Sequence, residues 1–147
     1  MVQILNEMKS DYGVISLKAE FEAEASRMEE LMRLKDIAGI CGVGLLLKIG
    51  GAEDISHMFD ALNIGATGLN APMIETAFAA KKCFKSIKRY IPQEDLEGME
   101  ISINIETGTA HANLESILGE KDADVLDSVT VGRVDMTDSL GLTRNDI

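Results

Sequence analysis

Short apolar strands alternate with amphipathic helices along the whole chain, and this alternation limits the fold more than any other feature. Strands are predicted at Val14–Ala19, Leu45–Ile49, Thr67–Ala71, Ile101–Ile105 and Val129–Val131. They recur at roughly 25–30 residues, the size of a βα unit. Helices are predicted between them. One carries Met28, Leu31, Met32 and Ile37 at helical spacing, opens on Ser26 to Glu29 in the form of a capping box, and closes at Gly39 and Gly42. A second runs from Ala52 to Leu62, with Ile55, Met58, Phe59 and Leu62 on one face and Gly65 just past its end. A third runs from Glu75 to Tyr90 and is stopped by Pro92, before an acidic loop at 93–98. A fourth passes through Leu114 and Ile117. Residues 2–10 form a short leading helix.

Strict alternation of this kind implies a parallel sheet. Leu45-Leu-Leu-Lys-Ile49 is nearly continuous in apolar residues, as expected of a strand covered on both faces. Two architectures compete, an open doubly wound sheet and a (β/α) barrel. No G-x-G-x-x-G opens a helix after a strand, so the dinucleotide fold has no support. A closed barrel takes eight strands and about 250 residues. Five strands in 147 residues point to the front part of a TIM-type (β/α)8 barrel, one partial domain of about five βα units without an internal linker. Residues 143–146 have the form of a further helix start, with Thr143 as its cap.

In parallel α/β proteins, chemistry sits where strands run into loops at their C-terminal ends. Val129-Thr-Val131 turns at Gly132, presents Asp135, and continues into a polar, Gly-punctuated loop. Ile101-Ser-Ile-Asn-Ile105 runs into Glu106 in the same way. Neighbouring parallel strands lie about 4.8 Å apart, so these two carboxylates can reach one cation. Oxygen ligands with no Cys or His cluster favour Mg²⁺ or Mn²⁺ over zinc. The plainer alternative is that Glu106 caps a helix and Asp135 holds an Asx-turn. Lys48 ends the second strand in apolar surroundings, where a lysine normally has a partner. Glu20 ends the first strand and could simply pair with a nearby lysine. Arg133 shares strand parity with Asp135; it can bind a carboxylate bidentately or form a surface salt bridge. His57 and His111 are expected at the surface, since a lone His is a poor ligand signal.

Charge removes several partners. A formal net charge of −11 argues against nucleic acid and against an anionic membrane surface. No apolar run approaches the ~20 residues of a membrane span, and the N-terminus lacks the apolar core of a signal peptide. Cys41 and Cys83 match no metal or redox spacing, so the expectation is two reduced thiols in a cytoplasmic protein.

Five motifs in order carry a resemblance: Lys18-Ala-Glu-Phe-Glu-Ala-Glu24, Lys48-Ile-Gly-Gly51, Ala71-Pro-Met-Ile-Glu75, Ile105-Glu-Thr107, and Gly132-Arg-Val-Asp135 with Ser139-Leu-Gly141. Together they resemble the HpcH/HpaI-type aldolase and citrate lyase β-subunit family, over nearly the whole chain. The resemblance implies a TIM-type barrel, usually oligomeric. It also implies a carbon–carbon lyase in which a Glu and an Asp hold Mg²⁺ or Mn²⁺, which binds a 2-oxo acid, a related acyl substrate, or the enolate. By motif these ligands are Glu106 and Asp135. The family's early acidic residue corresponds to Glu20, and its substrate-binding Arg to Lys48. Three positions depart from the pattern. Phe21 stands where a His often follows the early acid, Lys48 replaces the Arg, and Arg133 replaces a loop Pro. The loss of the His removes a candidate general base. The competing expectation is therefore a truncated or degenerate barrel that binds small carboxylates, or assembles with partners, without catalysis.

Overall fold

The computed structural model describes residues 1–143 and 146. Helix α1 (Val2–Tyr12) ends on Gly13 in the left-handed conformation. There follow β1 (Ser16–Glu20), α2 (Met28–Cys41), β2 (Gly44–Lys48), α3 (Ile55–Ile64), β3 (Gly68–Ala71), α4 (Ala77–Tyr90), the single turn α5 (Gln93–Leu96), β4 (Glu100–Ile105), α6 (Gly108–Ala112), α7 (Leu114–Leu118), a 3-10 turn at Ala123–Val125, β5 (Ser128–Val131) and α8 (Arg133–Ser139). The five strands form one all-parallel sheet in the order β1-β2-β3-β4-β5.

That order decides between the two architectures. Each strand lies beside the one before it, and right-handed crossovers then put every connecting helix on the same face. A doubly wound sheet would reverse direction at a switch point; this one does not. Consecutive helices α1 to α4 pack side by side over that face. Alternation sorts the strand residues. Leu45, Leu47, Leu69, Ala71, Ile101, Ile103 and Ile105 point to the helices and are buried in one core with Leu31, Met58, Phe84, Ile87 and Ile117. Cys83 lies in the same core, and burial pushes its thiol up to about 12.

The opposite face of the sheet is polar. Glu20, Lys48, Asn70, Ser102 and Ser128 stand in one register row, with Asn104 and Thr130 in the next toward the strands' C-terminal ends. This corrects the reading of β2 as covered alike on both faces. Leu45 and Leu47 are buried under helices, whereas Leu46, on the polar face, is only half-buried.

Several local expectations shift. The capping box of α2 sits one residue later than expected, with Arg27 at the N-cap and Glu30 at N3. Met32 of that helix is exposed, as is Phe59 of α3, whose inner face is Met58, Ala61 and Ile64. The acidic stretch after Pro92 is the helical turn α5 rather than a loop. The helix after β4 is two short pieces meeting at Asn113, whose amide donates to the Glu75 carbonyl oxygen and fixes the break. Of the helix start expected at 143–146, Arg144 and Asn145 lie outside the described residues; the Asp146 carboxylate accepts from Thr143 N and Oγ1. No helix among the described residues is long and apolar enough to cross a membrane.

Candidate active site

The ends of β2 and β4 and the first turn of α8 bring Lys48, Glu106 and Asp135 to one cavity of about 340 Å³, lined also by Glu22, Gly50, Pro72, Met73, Thr107, Asp138 and Ser139. It opens where β2, β3 and β4 give way to their loops and where α8 begins.

Glu106 follows β4 directly and is 2% exposed. Its Oε1 accepts from Met73 N at 2.8 Å, and its Oε2 from Asn104 Nδ2 at 2.9 Å. Met73 is held with a positive φ of 54°, which turns its N–H onto the carboxylate. Gly132 packs from β5's side so closely that a Cβ there would lie 2.5 Å from Glu106 Cβ and 2.6 Å from Oε2. The carboxylate is therefore clamped by β3, β4 and β5 together. Among the described residues no cation lies within ion-pair reach of it. A buried carboxylate held only by two neutral donors leaves its charge largely uncompensated.

Asp135 reaches the cavity by a route the sequence did not indicate. It sits in the first turn of α8, not in an open loop. It is exposed and makes no ion pair or hydrogen bond among the described residues. The same helix removes the parity argument for Arg133. Strand alternation ends at Val131, and Arg133, the first residue of α8, is exposed and does not line the cavity.

Lys48 and Glu20 are register partners on β1 and β2. Lys48 Nζ lies 3.2 Å from Glu20 Oε2, and Lys18 Nζ lies 3.7 Å from Oε1. Glu20 does not itself line the cavity, but its partner Lys48 does.

The sequence reading missed several contributors. Asn104 shares Glu106's face by strand alternation and could have been found that way. Two amide oxygens, Asn70 Oδ1 and Asn104 Oδ1, are buried without a hydrogen-bond partner among the described residues. Asn70 Nδ2 donates to Ser102 Oγ at 2.8 Å. The Met73 N–H has no sequence signal, because the donor is backbone. His57 is half-buried rather than at the surface, and its ring stacks on Phe21 at 4.2 Å between centroids. His111 is exposed, as expected.

The donor set fits a hard divalent cation in part. Glu106 and Asp135 are oxygen donors on one cavity, and Glu106 lacks a countercharge. No group of three or more His, Cys, Asp or Glu among the described residues could hold a metal ion. Such an ion would need ligand or water oxygens to complete its shell.

The profile of the HpcH/HpaI aldolase/citrate lyase family matches residues 23–147. The chain belongs to that family. No curated protein sequence matches it. Among solved structures it is similar to the citrate synthase SbnG, with a TM-score of 0.77 and 18% identity over 98% of this chain and 62% of that one. It is similar to an HpcH/HpaI aldolase from Desulfitobacterium hafniense DCB-2, with a TM-score of 0.75 and 21% identity over 97% and 62% of the two chains. It is similar to an HpcH/HpaI aldolase/citrate lyase family protein from Burkholderia cenocepacia J2315, with a TM-score of 0.70 and 18% identity over 94% and 63%. The chain thus spans about three-fifths of the length of these structures. At these identities the likeness establishes the fold, a barrel-type α/β sheet left open between β1 and β5 in the described residues.

Proposed function

We propose that this chain carries the active-site half of a metal-dependent carbon–carbon lyase acting on a 2-oxo acid or a related acyl substrate. The carrying observation is Glu106: a carboxylate buried to 2% exposure, held by neutral donors, on a cavity it shares with Asp135 and Lys48. Glu106 and Asp135 would hold Mg²⁺ or Mn²⁺. Such an ion, when bound, supplies the Lewis acidity that stabilises an enolate left by C–C cleavage. Met73 N–H and the Asn104 amide fix the direction of Glu106. Lys48 offers its ammonium to the substrate carboxylate, and Glu20 holds that ammonium at the strand end. Arg133 stays a candidate second contact for a longer substrate, from the first turn of α8. The protein would work as a soluble homo-oligomer on small molecules, in the cytoplasm.

Calorimetry with Mn²⁺ and oxalate, a 2-oxo acid mimic, tests this. Metal binding is expected to be weak alone and strengthened by oxalate. Glu106→Gln and Asp135→Asn should each abolish the ligand-dependent part while leaving the melt cooperative. Oxalate binding unchanged by EDTA, or Mn²⁺ affinity unchanged in both variants, would make the two carboxylates structural.

Phe21 favours a second reading. Its ring, which cannot accept a proton, follows Glu20 directly and is stacked against His57. The site would then bind small carboxylates without turning them over. Oxalate binding together with no turnover across a panel of 2-oxo acids would select that reading.

A further inference from the structure

His57 Nδ1 has two neighbours with opposite demands. Gly50 N lies 3.0 Å away as a donor, which requires a lone pair on Nδ1. Asp54 Oδ2 lies 2.7 Å away, a distance that favours a charged, protonated ring. One nitrogen cannot satisfy both at once. Neutral His57 with its proton on Nε2 accepts from Gly50. Protonated His57 forms an ion pair with Asp54, and with a proton on Nδ1 it can no longer accept from Gly50. The Gly50 N–H then loses its acceptor.

The position of this conflict gives it a consequence. Gly50 lines the candidate cavity two residues after Lys48. Phe21, the residue after Glu20, lies flat on the same imidazole, with 8° between the ring planes. His57 therefore joins the two loops that follow the Glu20–Lys48 pair. The fit is close: a Cβ at Gly50 would lie 2.6 Å from Asp54 Oδ2 and 3.2 Å from His57 Nδ1. Other charged groups nearby are engaged or face elsewhere. Glu20 and Lys48 pair with each other, Glu53 is bound to Lys82 and Ser86, and Glu22 lines the cavity. Among the described residues Asp54 is the one charged group within ion-pair distance of the ring, and its Oδ1 also caps α3 at His57 N.

We propose that His57 is a positioning residue: neutral, it clamps the Gly50 loop beside Lys48; protonated, it releases the loop to Asp54, so the cavity holds carboxylate ligands less well as pH falls. The effect on ligand affinity rests on the function proposed above, but the clamp itself does not.

Two readouts test it on the whole chain. Gly50 amide protection, corrected for intrinsic exchange, is measured by NMR from about pH 8 to about pH 5, the range in which imidazoles change charge. Oxalate affinity with Mn²⁺ is measured over the same range. In the wild type, Gly50 protection should fall by about fivefold to tenfold on acidification, the equivalent of one net hydrogen bond. His57→Gln keeps an acceptor but does not titrate, so its Gly50 protection should stay flat. Asp54→Asn keeps a good N-cap but removes the charge that competes with Gly50 for the ring, so the loss on acidification should be smaller. Oxalate affinity should fall more steeply with acid in the wild type than in His57→Gln. Identical Gly50 profiles in wild type and His57→Gln overturn the clamp. If His57→Gln does not fold, an undiminished loss of Gly50 protection in Asp54→Asn overturns it instead. A titrating Gly50 amide without oxalate binding at any pH keeps the clamp and removes the proposed function. Oxalate binding with a flat wild-type Gly50 profile does the reverse.

Discussion

Lys48 Nζ and Glu20 Oε2 are 3.2 Å apart, with the two side chains only 15% and 17% exposed. The pair is a product of strand register, since residues directly opposite on neighbouring parallel strands share a face. Glu20→Gln would leave a largely buried ammonium without its carboxylate. The expected cost is roughly 2 kcal/mol in a urea melt, below the ~3–5 kcal/mol of a fully buried pair. The same variant should bind oxalate more tightly, because Lys48 no longer has an internal competitor, and Lys48→Met more weakly. Equal oxalate affinity in all three proteins would take Lys48 out of the binding site. An ammonium held by a carboxylate is a poor nucleophile. Borohydride with pyruvate should therefore add no mass to the peptide containing Lys48.

Gly132 has a φ of −81°, which any residue can adopt, so alanine there tests space alone. Its Cβ would run into Glu106. Gly132→Ala is expected to cost about 1–3 kcal/mol by overpacking and to weaken Mn²⁺–oxalate binding by displacing the carboxylate. Gly39→Ala is the contrast. It lies inside α2 with open space around its Cβ direction, and should stabilise by about 0.5–1 kcal/mol through helix propensity. Retained ligand affinity in Gly132→Ala would show that the site does not depend on the Glu106 clamp.

Lys88 joins α4 to the turn before β5 through Asp124 at 2.6 Å and Asp122 at 3.2 Å. Its hydrogen bond holds the Asp124 carboxyl below the usual carboxylate range, and Asp124 raises the Lys88 ammonium in return. A lowered carboxyl contributes stability above its unfolded pKa and loses it as pH falls through the folded one. A raised ammonium contributes below its unfolded pKa and loses it as pH rises through the folded one. The pair therefore contributes between about pH 4 and about pH 10. Lys88→Met should be less stable than wild type near neutrality by a small margin, because the groups face solvent. The difference should shrink in urea melts as pH falls through the carboxylate range. A difference that persists in acid would assign it to packing of the lysine stem.

Strands β1 and β5 each have one unpaired edge among the described residues. Exposed apolar side chains accompany both: Ile15 beside β1, and Val131 and Val134 at the end of β5. Such edges recruit other strands. The chain is expected to self-associate, with a sedimentation coefficient that rises with concentration. A sharp monomer over a wide concentration range, with a cooperative melt, would count against it.

The elements were legible because their signals are local. Apolar spacing of 3.6 or 2, a glycine at a helix end and a proline after one act within a few residues. They placed all five strands, the helix end at Gly65, and the stop at Pro92. Glu106 and Lys48 were legible for the same reason, as charged residues ending apolar strands. Resemblance supplied the family. The errors came where a neighbour distant in sequence decides the outcome. Strand parity places Arg133 with Asp135, but the segment is helical from Arg133 onward. Phe59 lies on the predicted apolar face of α3, yet the layer of helices covers Met58 and Ala61 instead.

By itself, the sequence determined a parallel α/β chain with carboxylates and a lysine at strand ends, because periodicity and strand termination are properties of contiguous residues. Only the tertiary structure decided that the sheet is singly wound, since strand order depends on which strands pair. It also decided that Glu20 faces Lys48, that Met73 N–H and Gly132 close on Glu106, and that His57 lies between Phe21 and Gly50. Each of those contacts joins residues of different strands or loops, at distances that no spacing along the chain encodes.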